Sequence, residues 1–391
     1  MTAPAGALRV FIVVGEHSGD QLGFKLMRAL REATGGAIRF AGIGGEAMAA
    51  EGLENLFPLS DIAVMGLAPV LARLPTLLRR IRETADAAIA DPPDALVIID
   101  SPDFTHRVAR RVRRKLPRLP IVDYVSPSVW AWRPGRAKRM RAYIDRVLAL
   151  LPFEPEAHQK LGGPRCDYVG HPLIERLDAL RPNAAEAARR AGAPPLVVVM
   201  PGSRRAIAAR LIGDFGAALA LVQRELGAIE LVLPTVPHLE AFIRARVAGW
   251  PIAPRVVVTE EEKFAAFRNA RAALAASGTA TLELALAGVP LIGAYKVSAI
   301  ETPLKYLVRV PSILLPNLIL GERAIPEILQ DECKPERLAG LLGALIRDSA
   351  ERQAQLAALA RLDKRMRLDA GETPSARAAR LTLETIESAA R

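Results

Sequence analysis

Short apolar runs recur along the whole chain, and a helical pattern separates each from the next. Runs of this length, flanked by glycine, proline or polar turns, read as strands rather than buried helices. Strands that alternate with helices are expected to be parallel, because each helix carries the chain back to the starting edge of the sheet. One set of strands falls at residues 8–14, 38–41, 95–99, 121–125, 147–151 and 167–169, and a second at 196–200, 229–233, 256–258, 272–275 and 291–294. Between the sets lie Gly170-His-Pro-Leu173, a polar helix and the loop Gly192-Ala-Pro-Pro195, which place a domain boundary between about 172 and 194. A chain of 391 residues that is 51% hydrophobic can bury two cores of ordinary size. The expected fold class is therefore α/β, with two doubly wound domains whose strand C-termini face a shared cleft. Ligands of such sheets bind outside those strand ends. The tail from Pro335 onward reads as helices alone.

If ligands bind at the strand ends, the loops there carry the function. In the second half, Ala275 to Gly293 runs from a strand through Ser277-Gly278-Thr279 into a helix and then a second strand. Small residues let the backbone approach an anion, and a helix N-terminus presents N–H groups and positive dipole to a diphosphate. Glu283, one turn into the helix, is placed to accept both hydroxyls of a ribose; an ordinary β-α-β crossover with a capped helix is the alternative. Pro201-Gly202-Ser203-Arg204-Arg205 is again strand, glycine turn and helix start, with Arg204 and Arg205 where a guanidinium can grip a diphosphate. Asn317, in a proline-bounded turn inside an oily segment, either satisfies buried backbone or contacts ligand.

In the first half, Gly15-Glu-His-Ser-Gly-Asp20 follows the first strand and is not the G-x-G-x-x-G dinucleotide fingerprint. Glu16 in that tight loop reads as ligand-facing, while Ser18 and Asp20 also suit a helix start. Gly42-Ile-Gly-Gly45 is a second such turn, open to a sugar or phosphate or simply a turn. Asp100 ends the apolar run Leu96-Val-Ile-Ile99, and Ser101-Pro102 turns the chain just past it. A carboxylate there can take a proton from an acceptor hydroxyl; capping of the next helix by Asp100 or Asp103 is the alternative. Trp130 and Trp132 follow another strand and suit sugar stacking, an acyl groove or the core. Residues 64–82 mix Val70, Leu71, Leu74, Leu77, Leu78 and Ile81 with Arg73, Arg79, Arg80 and Arg82. Pro69 suits a first helical turn, and Pro75 is expected to break or kink the helix. The segment either packs on the sheet or lies as a basic amphipathic surface in a membrane interface.

A formal net charge of +11 points to anionic partners. Zinc-finger spacing, ribonucleoprotein aromatics and basic low-complexity tails are lacking, which disfavours nucleic acid. No apolar run approaches the roughly 18 to 20 residues that cross a bilayer, and the first strand begins too soon for an export leader. Cys166 and Cys333 are far apart and outside metal-ligand spacing, so reduced thiols in a cytosolic protein, with no metal and no cofactor, are expected.

Taken together, Gly15 to Asp20, Gly42 to Gly45, Met65-Gly66, Ile99 to Phe104, Tyr124 to Arg133, Leu151-Pro-Phe-Glu-Pro155, Val169 to Leu173, Pro201 to Arg204, Ser277 to Glu283 and Leu315-Pro-Asn317 resemble the lipid-A-disaccharide synthase family. His17 departs from the small or apolar residue expected in its loop. The resemblance implies the GT-B fold, with an acceptor and membrane-associated domain at 1–172, a UDP-sugar domain at 173–350, and helices at 351–391 that cross back to the first domain or exchange in a homodimer. It implies inverting transfer from UDP-diacylglucosamine to diacylglucosamine 1-phosphate at an anionic membrane surface, on its cytoplasmic side. By motif, Asp100 is the base, with Glu16 and Asn317 near the sugars. Gly202, Ser203, Arg204, Ser277, Gly278 and Thr279 fall on the diphosphate and Glu283 on the ribose. Ser18, Asp123, Ser126 and Trp130 become substrate contacts, and Leu71, Leu74, Leu77, Leu78, Arg79, Arg80 and Arg82 membrane contacts. Two rivals stay open: an isomerase of UDP-N-acetylglucosamine on the same plan, and a non-enzymatic nucleotide- or nucleic-acid-binding protein.

Overall fold

The computed structural model describes residues 6–63, 73–297, 310–368 and 371–391. The chain divides into two compact units, one of Met1–Pro172 with Leu368–Arg391 and one of Leu173–Arg367.

The first unit holds seven strands: β1 (Leu8–Val14), β2 (Ile38–Ile43), β3 (Leu53–Asn55), β4 (Ala95–Ile99), β5 (Ile121–Tyr124), β6 (Arg146–Ala149) and β7 (Arg165–Tyr168). All pair in parallel in the order β3-β2-β1-β4-β5-β6-β7. The order reverses between β1 and β4, which pair with Val14 opposite Ile99. That register brings the loop after β1 and the loop after β4 out side by side at the switch point. Four helices matter most: α1 (His17–Ala33), α2 (Glu46–Ala50), α3 (Leu74–Ala90) and α4 (Pro102–Lys115). Both α3 and α4 open with proline in the first turn, where its missing N–H has no helical partner to lose. Pro75 therefore lies in the first turn of α3 and interrupts no described helix; Pro69, Val70 and Leu71 lie outside the described residues.

The second unit has β8 (Leu196–Met200), β9 (Glu230–Pro234), β10 (Arg255–Val257), β11 (Ala272–Ala276), β12 (Leu291–Tyr295) and β13 (Glu327–Leu329). They too are parallel, in the order β10-β9-β8-β11-β12-β13. Here the reversal lies between β8 and β11, with Met200 opposite Ala275, so the turns that begin at Pro201 and Ser277 are neighbours. Helix α5 (Arg205–Leu226) is the one described helix long and apolar enough to cross a membrane by length and composition. It packs Ala208, Leu211, Phe215, Leu219 and Val222 into the second core. The last two helices separate: α7 (Ala350–Met366) belongs to the second unit and α8 (Pro374–Ala390) to the first, after α6 (Thr279–Leu286) earlier in the chain. The return of 351–391 as one block is thus corrected. Ala378, Ala379 and Leu381 of α8 join the first core, and the buried Arg146 donates to the Leu381 carbonyl at 2.8 Å.

Candidate active site

At the first switch point, β1 ends at Val14, just before Gly15, and β4 ends at Ile99. A Cβ on Gly15 would lie 2.2 Å from the Ser101 Cβ, so only glycine lets the two loops approach. Asp100 and Ser101 both take left-handed backbone, with φ 56° and 44°. Such a turn costs energy for a side chain with a Cβ, and persists where the surroundings hold it. Here the Thr105 hydroxyl donates to the Asp100 carbonyl at 2.7 Å, and the Asp100 N–H donates to the Tyr124 carbonyl at 3.2 Å. One carboxylate oxygen of Asp100 accepts the Ser101 N–H at 2.7 Å, and the other accepts the Ser18 hydroxyl at 3.5 Å. The Ser101 hydroxyl in turn donates to Glu16 at 3.0 Å. Burial pushes the Asp100 carboxyl above the usual aspartate range, against the Ser101 N–H; the negative charges of Glu16 and Asp123 push it further and the Ser18 hydroxyl opposes them. The structure thus groups Asp100, Glu16 and Ser18, and adds Ser101. Beside them a cavity of about 300 Å³ is lined by Glu16 and Ser101 together with apolar side chains of α3 and α4.

Two other first-unit assignments change. Asp123 is 1% exposed and faces His106 at 3.2 Å, while His106 Nδ1 meets the Tyr143 hydroxyl at 3.1 Å. Ser126 is also buried, with its hydroxyl 2.8 Å from His158 Nε2. Both are buried against histidines inside the unit, Asp123 on His106 and Ser126 on His158, and neither opens to solvent. Trp130 donates its indole N–H to Glu154 at 3.1 Å and packs edge-on to Phe153. Glu154 is sealed from water, and that burial lifts its carboxyl to about 7 despite N–H groups donated by Leu151 and Trp130. The second glycine turn is no open anion cradle either. Asp20 accepts the N–H groups of Gly45, Ala47 and Met48, and Asn55 accepts that of Gly44.

At the second switch point a cavity of about 260 Å³ is lined by Gly202, Ser203, Thr235, Lys263, Gly278, Thr279 and Glu283, among others. Gly278 has φ 155° and caps α6, so Thr279 and Ala280 stand in the first turn, where N–H groups have no partner within the helix. Ser277 is different: its hydroxyl donates to Ile313 and its N–H to Ala294, so it shapes the turn and has no donor left for a ligand. Lys263 Nζ lies 3.0 and 3.1 Å from the two Glu283 oxygens and holds that carboxylate in place. Nothing around Lys263 in the sequence marks it, because its partner is twenty residues on; the signal is purely spatial. Thr235, another unmarked lining residue, keeps a buried hydroxyl without a hydrogen-bond partner. Arg204 is exposed and outside the lining residues, and Arg205 stacks over Phe242.

Asn317 resolves toward its structural alternative. It is 2% exposed, accepts the Ile325 N–H, and donates to the Ile325 carbonyl and to Glu327, all within 2.8 to 2.9 Å. Both amide hydrogens and the amide oxygen are engaged, so the buried side chain braces β13. On α3, Leu74 and Leu78 are exposed, Leu77 is half-buried, and Arg79 and Arg82 point to solvent. Arg80 does not join them: it pairs with Asp61 and Glu83 and lies over the Phe57 ring. Leu71 lies outside the described residues. Among the described residues no group of three or more His, Cys, Asp or Glu could hold a metal ion.

The family model described as lipid-A-disaccharide synthetase matches residues 10–378 of this chain. A lipid-A-disaccharide synthase of Bradyrhizobium diazoefficiens is 55% identical over 384 residues, 98% of each chain. Among solved structures, a glycotransferase of kitacinnamycin superposes with a TM-score of 0.62 at 18% identity, covering 98% of this chain and 100% of that one. A UDP-GlcNAc 2-epimerase of Neisseria meningitidis bound to UDP-GlcNAc gives 0.60 at 11% identity, covering 97% and 100%. At these identities the likeness speaks for the fold, which is GT-B.

Proposed function

Because the chain belongs to the lipid-A-disaccharide synthase family, it is a glycosyltransferase of the lipid A disaccharide step, and we propose how its residues divide that work. The reaction joins UDP-2,3-diacylglucosamine to 2,3-diacylglucosamine 1-phosphate, giving the β-1,6-linked tetraacyldisaccharide 1-phosphate and UDP. Asp100 removes the proton of the acceptor 6-hydroxyl as that oxygen attacks the anomeric carbon of the donor. The bond to UDP breaks with its electron pair on the diphosphate, and the α-linked donor yields a β product in one displacement. The observation that carries this assignment is the Asp100 carboxyl itself. It is held at a strand end by two donors and raised by burial and by Glu16, so it binds a proton more readily than an ordinary aspartate.

Glu16 positions Ser101 and, through it, the turn that carries the base. In the second unit, the glycine turn at 202–203 and the first turn of α6 receive the diphosphate, and Glu283, oriented by Lys263, takes the ribose hydroxyls. Arg204 supplies positive charge when the donor is bound. The family's lipid substrates support a cytoplasmic-side membrane location, with Leu74, Leu78, Arg79 and Arg82 as the contact face.

The test is incubation of the protein with both lipid substrates, following UDP release and lipid mass. Equimolar UDP and disaccharide support the reading. Conversion of UDP-N-acetylglucosamine to its 2-epimer, with no lipid product, would replace it by the isomerase that shares this fold.

A further inference from the structure

The cavity beside Glu16 and Ser101 has a composition that the catalytic assignment does not use. Its apolar wall is Ile62, Leu74, Leu77, Leu78, Ile81 and Phe104, contributed by α3, α4 and the segment before α3. Leu74 and Leu78 are 40% and 37% exposed, so this wall runs out to solvent. Two charged side chains of α4 line the same cavity, Asp103 and, one turn further on, Arg107. Asp103 is paired with Arg136 at 3.1 Å. Other arginines of α4 are also engaged: Arg110 with the Tyr143 hydroxyl, Arg111 with Asp86 and Arg113 with Asp145. Arg107 is exposed and has no ion-pair partner among the described residues. Glu16 is occupied as acceptor of the Ser101 hydroxyl. The cavity therefore offers a greasy wall, one uncommitted guanidinium, and at its other end the loop that carries the base. That is a site for an amphiphile with an anionic group.

We propose that Arg107 binds the anomeric phosphate of the acceptor while an acyl chain lies against Leu77, Leu78, Ile81 and Phe104. The proposal rests on the functional reading above, since it takes the occupant to be the acceptor. Arg107 stands about 8 Å along the α4 axis from Pro102, a separation that one hexose and its phosphate span. With the phosphate on Arg107, the far edge of the ring, where the 6-hydroxyl lies, is directed to the Asp100 turn. A guanidinium donates two parallel N–H bonds to a phosphate, a contact made equally in the ground state and the transition state, so it sets affinity for the phosphorylated acceptor. Arg107 is then a specificity-determining residue, which distinguishes the phosphorylated acceptor from the same lipid without its phosphate.

The experiment uses neutral-detergent micelles, so that no anionic surface contributes. It compares the wild type with Arg107→Gln, Arg107→Lys and, as a control on the same helix outside the cavity, Arg114→Gln. The monophosphate acceptor is the substrate, and its dephosphorylated form, which keeps the 6-hydroxyl, is added as a competitor whose Ki is measured. Arg107→Gln is expected to raise KM for the monophosphate by about 10- to 100-fold, the range for one lost charge-assisted hydrogen-bonded contact. It should leave kcat, donor KM and the Ki of the dephosphorylated lipid within about twofold, because that lipid lacks the group in question. Arg107→Lys should recover part of the loss, and Arg114→Gln should match the wild type. An unchanged ratio of KM to Ki in Arg107→Gln overturns the phosphate assignment while the functional reading stands. Equal losses for both lipids overturn it as well, since they would reveal a general packing role. Absence of transfer by the wild type overturns the functional reading itself, and this assignment with it.

Discussion

An Asp100→Asn substitution removes the proposed base and leaves its scaffold in place. The asparagine oxygen can still accept the Ser101 N–H, which reaches Asp100 at 2.7 Å, and its amide can donate to the Ser18 oxygen on the other side. Asparagine also tolerates the left-handed φ of 56°, where alanine would add roughly 1 kcal/mol of strain and lose both contacts. Removing a half-buried negative charge beside Glu16 relieves a repulsion, so thermal stability should hold or rise. Loss of general-base catalysis alone lowers turnover by about 10²- to 10⁴-fold. The assay is the initial rate of UDP release at saturating substrates, with UDP affinity by calorimetry on the same preparation. Unchanged UDP affinity with the stated loss is expected, because the donor cavity lies in the other unit. The wild-type rate should also fall on acidification at a pH above the ordinary aspartate range. The base acts ionised, and burial followed by the Glu16 and Asp123 charges raises its pKa. A correctly folded Asp100→Asn protein with kcat within tenfold of wild type would refute the assignment.

Three further outcomes follow from particular contacts. Lys263→Met leaves the Glu283 carboxylate without its 3.0 Å partner and should weaken UDP binding about tenfold or more by calorimetry; unchanged affinity would remove Glu283 from the ribose. Replacing Arg79 and Arg82 with serine should reduce sedimentation with anionic vesicles, whereas Arg80→Ser should chiefly lower stability, since Arg80 is tied to Asp61 and Glu83. Glu154 titrates at about 7 when folded and near an ordinary glutamate when unfolded. Its contribution is complete below the unfolded value and is lost as pH rises through about 7, a difference on the order of 3 kcal/mol. Urea unfolding at pH 5 and pH 8 should therefore show a smaller decline with pH in Glu154→Gln than in the wild type, and parallel declines would contradict the assignment.

What was legible in the sequence is what local pattern encodes. Strands such as Ala95–Ile99, buried on both faces, read as continuous apolar runs, and the residues just past them, Asp100 and Gly278, mark turns. The short edge strands β3 and β13 did not show, because three residues that include Glu54, Asn55 and Glu327 carry no alternation. Roles that depend on distant partners were also hidden. Asn317 reads the same whether it meets a ligand or braces Ile325 and Glu327, and only the fold brings those groups to it. The resemblance makes Asp123 a substrate contact, yet His106 of α4 stands against it inside the unit. Asp20 looked like a first-turn charge, yet it crosses to cap α2 and closes the second glycine turn. Motif spacing finds where chemistry gathers, while hydrogen-bond saturation decides which of those side chains remain available to a substrate.

The anomeric configuration of the new glycosidic bond tests the account most directly. One carboxylate base and a single displacement predict that an α-linked UDP donor gives only the β linkage, read from the anomeric proton coupling of the purified disaccharide. An α-linked product, or a glycosyl group trapped on the protein, would show two displacements and contradict the role assigned to Asp100.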